Sequence, residues 1–334
     1  MKKILKALLI IVLVIAIIPI GVFVFFAVET AIPDRFNYVV NEDQTTCTII
    51  SAKNKNEFSI DIPEEIDGYT VTKIGAWAFK GLGCASVYLP ETIEYIGAGA
   101  FAECEELLSV HGLEKCTNLK EIQSQTFKDC CDLDNISLPE GLERIGFYAF
   151  LRCSSLESIS IPSTVTTLEN GSFSFCKKLT TITIPASVEF ISVYLFEGCI
   201  SLESIEVEAE NPYYCSVDGV LYTKGMEILG AYPSSKAGEE YTIPDGVTTI
   251  AAGAFAYPYY LKTLNIPNSI ELIDENAFID IYTVSKLDTI NYDGTVRQWK
   301  NIHVAPGWST NYYPELTVYC INGRISKDGT VTYK

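Results

Sequence analysis

Histidine is nearly absent from this chain: His111 and His303 are the only two among 334 residues. That removes most routes to imidazole acid–base chemistry and to histidine-rich metal sites. No Cys-x-x-Cys pair, HExxH, Gly-rich phosphate loop or triad signature occurs, so the usual catalytic and metal motifs are missing. Bases are also scarce. Lys and Arg total 24 against 42 Asp and Glu, a net charge of -18. A polyanion of this kind repels phosphate backbones, which excludes nucleic acid as a partner. No Ser/Gly or Pro tract separates the chain into domains. What remains is 48% hydrophobic and 20% charged, enough to bury a core. The expectation is a non-catalytic protein with no cofactor and no metal.

The amino-terminus reads as an export signal. Lys2, Lys3 and Lys6 precede 22 uncharged residues, Ala7 to Val28. As a helix that run spans roughly 30 Å, the thickness of a bilayer core. It is longer than the apolar part of a cleaved signal peptide, and Glu29-Thr30-Ala31 is a poor cleavage site. Residues 1–30 are therefore read as a single-pass membrane anchor, with cleavage as the alternative. The one-sided lysines keep the amino-terminus in the cytoplasm and send the rest outside. Without those three lysines, 21 bases face 42 acids in the exported part.

A period then takes over. Phe127, Phe150, Phe173 and Phe196 are each 23 residues apart, as are Phe255 and Phe278. Pro139, Pro162 and Pro185 keep the same step. A fixed period of this size signals stacked coils. In one unit, Leu156, Ile159 and Ile161 alternate as in a short strand, and Pro162 ends it. Val165 and Leu168 turn inward on a second edge, and Phe173 fills the centre. Ile74-Gly75-Ala76-Trp77-Ala78-Phe79 and Ile145-Gly146-Phe147-Tyr148-Ala149-Phe150 repeat the string. One unit cannot bury its own apolar face, so neighbours must share a core.

The string Ile-Pro-x-x-Val-x-x-Ile-Gly-x-x-Ala-Phe-x-x-Cys-x-x-Leu resembles the BspA-like leucine-rich repeats of bacterial surface proteins, over about residues 36–334. The resemblance implies a β-rich solenoid of about 23-residue coils behind the transmembrane helix. It also implies adhesion or host and matrix interaction. Surface hydrolysis of a carbohydrate and a passive role as an envelope spacer are the alternatives. The expected partner is an extracellular protein or glycan, met by a monomeric ectodomain.

Departures from the period set the organisation. Residues 31–62 are read as an amino-terminal β cap, and 63–206 as the first repeat array. Between Phe196 and Phe255, Asp218-Gly219 and Lys224-Gly225 look like hairpin turns, so 207–243 is read as a β-hairpin interruption. The array resumes over 244–290, and 291–334 form a carboxy-terminal cap. There Thr295 and Gln298 have the spacing of a helix capping box.

Candidate site residues follow from the same register. Cys104, Cys130, Cys153, Cys176 and Cys199 each sit three residues after a repeat Phe. A column of small apolar side chains explains them, and buried thiols are preferred to disulfides. The outward column of the strands reads Tyr88, Ser137, Ser160, Thr183, Glu206, Asn265 and Asn291. It is either a ligand-binding row or a solvated sheet face. Tyr257, Tyr259 and Tyr260 cluster where the cysteine column stops, and Trp308 follows in sequence. These aromatics, with Ser137, Ser160 and Thr183, are the expected ligand contacts; the other reading is that the tyrosines pack the hairpin and cap. Asp134 and Glu157 occupy equivalent places in adjacent coils. They are the carboxylate pair a glycoside hydrolase would need, and ordinary solvated acids are the preferred reading.

Overall fold

The structure is a computed structural model that describes residues 35–54, 57–279, 285–305 and 316–334. The chain divides into two units, residues 1–35 and 36–334. The anchor segment at 1–30 lies outside the described residues. Among those described, no helix is long and apolar enough to cross a membrane.

Residues 36–334 form a β-solenoid. One wall is a parallel ladder in which Ser59–Asp61, Ser86–Tyr88, Ser109–His111 and Asn135–Ile136 pair in register. Thr181–Ile184 and Ser204–Val207 continue the same positions of later coils. After the interruption, Glu240–Thr242, Thr263–Ile266, Thr289–Tyr292 and Thr317–Cys320 pair in parallel. The second wall is built from two-residue strands such as Glu121–Ile122, Arg144–Ile145, Thr167–Leu168 and Phe190–Ile191. In the coil of Leu156–Ile161 the alternation holds, with Ile159 and Ile161 buried, but no regular strand forms there.

The phenylalanines stack along the axis. Phe79, Phe101, Phe127, Phe150, Phe173 and Phe196 follow one another at ring centroid distances of 5.3 to 6.2 Å. Tyr232, Phe255 and Phe278 make a second stack at 5.0 and 5.2 Å. From Phe79 to Phe196, and at Phe255, each stacked phenylalanine is flanked by two residues in the left-handed region, at the positions two before and two after it. Gln125 and Asp129 flank Phe127, and Tyr148 and Arg152 flank Phe150, all with φ between 55° and 60°. These paired reversals turn the chain from one wall to the other. Most are not glycine, so nothing in the composition marks them. Where glycine does occur it serves contact as well. A Cβ on Gly171 (φ +60°) would lie 2.2 Å from the Tyr148 ring of the preceding coil.

Within the segment read as the amino-terminal cap, 31–62, the last strand is already part of the solenoid ladder. Phe36–Val40 and Thr46–Ala52 form an antiparallel hairpin. Ser59–Asp61 already pairs with Ser86–Tyr88, so it belongs to the first coil. The turn of the cap is pinned by Asp43, whose carboxylate accepts from Thr45 and Thr46. Those bonds, led by the Thr46 hydroxyl, pull its pKa down to about 2. At the other end the Thr295–Gln298 capping box starts the helix Val296–Asn301, and Trp299 packs on Tyr292.

Candidate binding groove on the strand face

The outward column of the strand wall takes in more residues than the sequence pattern shows. Asp61, Tyr88 and His111 are direct partners, and Thr183 pairs with Glu206. In the second array Thr242, Asn265, Asn291 and Tyr319 are direct partners. His111 was hidden by the 26-residue step between Phe101 and Phe127, and it stacks on Tyr88 at 4.6 Å. Ser137, Ser160 and Thr183 are all exposed on this wall. The amides of the second array partly satisfy one another. Asn291 donates to Asn265 at 2.9 Å, and Asn265 donates to Thr242 at 2.9 Å.

The tyrosine cluster divides. Tyr259 and Tyr260 are 41% and 44% exposed, whereas Tyr257 is fully buried. The expectation that Tyr257 contacts a ligand fails for a local reason. Tyr257 stands two residues after Phe255, in the left-handed position (φ 56°) that each coil uses to turn. There its ring meets Phe175 edge to face at 6.4 Å. Tyr259 and Tyr260 pack edge to face at 5.0 Å, and the Lys286 ammonium sits 5.1 Å from the Tyr259 ring. Trp308 lies outside the described residues.

Tyr260 also lines a groove of about 840 Å³ where the strand wall is interrupted. The ladder of the first array ends at Ser204–Val207 and the next begins at Glu240–Thr242. The antiparallel hairpin Tyr214–Val217/Val220–Thr223 fills the break. Its two-residue turn, Asp218-Gly219, docks on the last strand through the Ile205 N–H, which donates to Gly219 O at 2.9 Å. Glu203, Glu206, Asp218, Ser216, Ser235 and Lys236 complete the groove. Lys236 pairs with Asp218 at 2.8 Å, and the Ser204 hydroxyl donates to Glu206. The groove therefore offers one flat aromatic face, several carboxylate acceptors and one ammonium. Glu206 and Tyr260 were singled out by the repeat register and the tyrosine clustering. Asp218, Ser235 and Lys236 carried no sequence signal beyond the turn.

The carboxylates Asp134 and Glu157 are both exposed, and Glu157 pairs with Lys178 at 3.5 Å. Among the described residues no cluster of His, Cys, Asp and Glu is arranged to hold a metal ion. None of the eleven cysteines is in a disulfide.

A profile of the BspA type leucine rich repeat region matches six copies over residues 53–121, 108–216 and 230–301. Similar solved structures include a leucine rich cell surface protein from Faecalibacterium prausnitzii, at 24% identity and TM-score 0.57, covering 81% of this chain and 96% of that one. The pneumococcal vaccine antigen PcpA aligns at 22% identity and TM-score 0.70, over 86% of this chain and 80% of the other. A leucine-rich repeat protein from Bacteroides ovatus aligns at 26% identity and TM-score 0.58, over 86% and 76%. No curated protein matches the sequence.

Proposed function

This chain belongs to the BspA-type leucine-rich repeat family, and from that premise we propose that it is a non-catalytic binding protein of the cell surface. Its ligand docks on the outward strand wall, centred on the groove at the interruption. The observation that carries the reading is the juxtaposition of exposed Tyr260 with Glu206, Asp218 and Lys236 in a groove of about 840 Å³. A tyrosine ring offers a flat apolar face beside polar groups that fix orientation. That combination fits a neutral or cationic glycan: sugar C–H faces stack on the ring, and hydroxyls donate to the carboxylates. The excess of acid over the whole exported part disfavours anionic glycans. The Ser137–Ser160–Thr183 row extends the surface for a longer chain. Residues 1–30 tether the solenoid as a single-pass anchor with its amino-terminus inside.

The test is the full chain in lipid nanodiscs, probed on glycan and protein arrays. Retention by neutral or cationic glycans that is lost in Tyr260→Ser supports the reading. Capture of proteins alone replaces the glycan with a protein partner. Turnover of a bound oligosaccharide overturns the non-catalytic assignment, and silence on both arrays overturns binding at this groove. Protease added to intact cells should digest the chain beyond residue 30.

A further inference from the structure

The interruption leaves a second space, on the opposite wall from the groove. In regular coils, five positions separate the buried strand residue of the second wall from the stacking aromatic, as from Ile250 to Phe255. Leu229 pairs in register with Ile250, and Tyr232 stacks on Phe255. Yet only three positions separate Leu229 from Tyr232. This coil is two residues short in its turn. A cavity of about 260 Å³ lies there, lined by residues of the coils on either side, Ser192–Glu197 and Ala251–Ala254, and by Leu221, Tyr222 and Tyr232. Tyr194 spans the gap. Its ring covers Gly253, where a Cβ would lie 2.6 Å from it, and its hydroxyl reaches Glu275 at 3.3 Å.

The missing turn has a consequence for the backbone. In other coils the aromatic N–H donates to the carbonyl just before the next aromatic: Phe127 to Ala149, Phe150 to Ser172, Phe173 to Leu195, Phe255 to Ala277. The equivalent acceptor for Phe196 is Ala231. The shortened turn draws Ala231 into the strand Ile228–Ala231, where it pairs with Leu221. Among the described residues the Phe196 N–H then has no acceptor. Phe196 is buried, and a donor left without an acceptor in such surroundings is destabilising. No Lys, Arg or His lines the cavity, and burial pushes the nearby Glu197 carboxyl up from its usual range.

We propose that this cavity binds a neutral, mainly apolar small molecule that carries one carbonyl acceptor for the Phe196 N–H. A cavity of ~150 Å³ accepts benzene, so about 260 Å³ admits a bicyclic ring system. The absence of a cation on the wall selects against carboxylates and phosphates, which would enter unpaired. This site is separate from the strand-face groove and does not depend on it.

The probe is 1-indanone, with indane as the partner lacking the carbonyl. Both are titrated into the full chain in nanodiscs while thermal unfolding and hydrogen exchange of the Phe196 amide are followed. Gly230→Val fills the cavity, since the atoms nearest to a Cβ there, the Leu221 side chain and carbonyl, lie at ordinary contact distances of 3.4 to 3.6 Å. Ala231→Leu is the second filling variant should the first fail to fold. The expected result is a concentration-dependent rise in unfolding temperature, with exchange at Phe196 slowed at least tenfold by 1-indanone. Neither change should occur in the filled variant, and indane should leave the amide unprotected. No effect at saturation overturns the site. An equal effect in wild type and the filled variant assigns it to lipid partition and also overturns it. Equal protection by indane removes the carbonyl from the proposal.

Discussion

Cys176 donates its thiol proton to the carbonyl of Phe150, one coil back, at 3.3 Å. The relationship repeats as Cys104 to Phe79, Cys130 to Phe101, Cys153 to Phe127 and Cys199 to Phe173, each at 3.1 Å. The slot is therefore not purely apolar. It asks for a small side chain with a donor, which is a thiol's description. Serine at Cys176 should keep the donor and cost less than valine, which removes it and adds bulk. Denaturant midpoints of the two variants test this ordering.

Thiol labelling gives a second test. Only Cys131 and Cys215 are partly exposed; the other nine are buried. Native protein treated with a thiol reagent at neutral pH should react at those two positions. All eleven should react in guanidinium. Rapid native labelling at Cys176 would mean that the coils open.

Burial also makes stability fall in alkali. It raises every column thiol resolved, with Cys199 pushed up to about 12, and off the column it takes Cys116 to about 11. In the unfolded chain thiols ionise from about pH 8.5. Above that pH the unfolded state binds fewer protons than the folded one, so stability drops as pH rises. The contribution is complete below about pH 8.5 and is lost progressively toward pH 12. Each such thiol adds about 1.4 kcal/mol per pH unit to the slope. Unfolding free energies at pH 8 and pH 10 should show this, and Cys199→Ala should flatten the slope by one thiol's share.

Much of this architecture is legible because it rests on period. The phenylalanine, proline and cysteine columns carry the stack, the end of each strand and the thiol slot. The left-handed positions are illegible because Gln125, Asp129, Tyr148 and Arg152 fill them as readily as glycine does. That is why Tyr257 misleads: its place in a tyrosine cluster suggests a surface, whereas its left-handed backbone (φ 56°) turns the ring into the core. The short coil at Leu229–Tyr232 is hidden for another reason. Its stacking residue is Tyr and its spacing is contracted, so no period reveals it until the register of the second wall is known.

Phe173→Ala should cost about 3–5 kcal/mol. Phe173 is fully buried and stacks on Phe150 at 5.6 Å and on Phe196 at 6.2 Å. A cost below about 1 kcal/mol in equilibrium unfolding would mean the stack does not hold the coils together.

Gly171→Ala should destabilise by about 1–3 kcal/mol, since it combines a left-handed backbone with a collision. The new methyl would lie 2.2 Å from the Tyr148 ring. Tyr148→Ala removes the obstacle, so the double variant should cost less than the sum of the two single changes. Strict additivity would show that the ring is free to move aside.

Tyr259 and Tyr260 distinguish binding from packing most directly. Both are more than two-fifths exposed, so changing them to Ser removes less buried volume than truncating Phe173. What is lost is their mutual edge-to-face contact and the Lys286 ammonium over their rings, both near the surface. The stability cost should stay well below that of Phe173→Ala. Affinity for an array-identified ligand should fall by one to a few kcal/mol, about the size of an aromatic hot spot. Tyr260→Ser should account for most of it, because Tyr260 lines the groove with Glu206 and Lys236. Tyr257→Ser should behave in the opposite way, losing stability because a buried ring against Phe175 is removed. If the Tyr260 variant is stable and keeps full affinity, the ligand contacts lie along Ser137, Ser160 and Thr183 instead. Salt-insensitive binding there would then mark a face read by hydroxyls rather than by the charged groups of the groove.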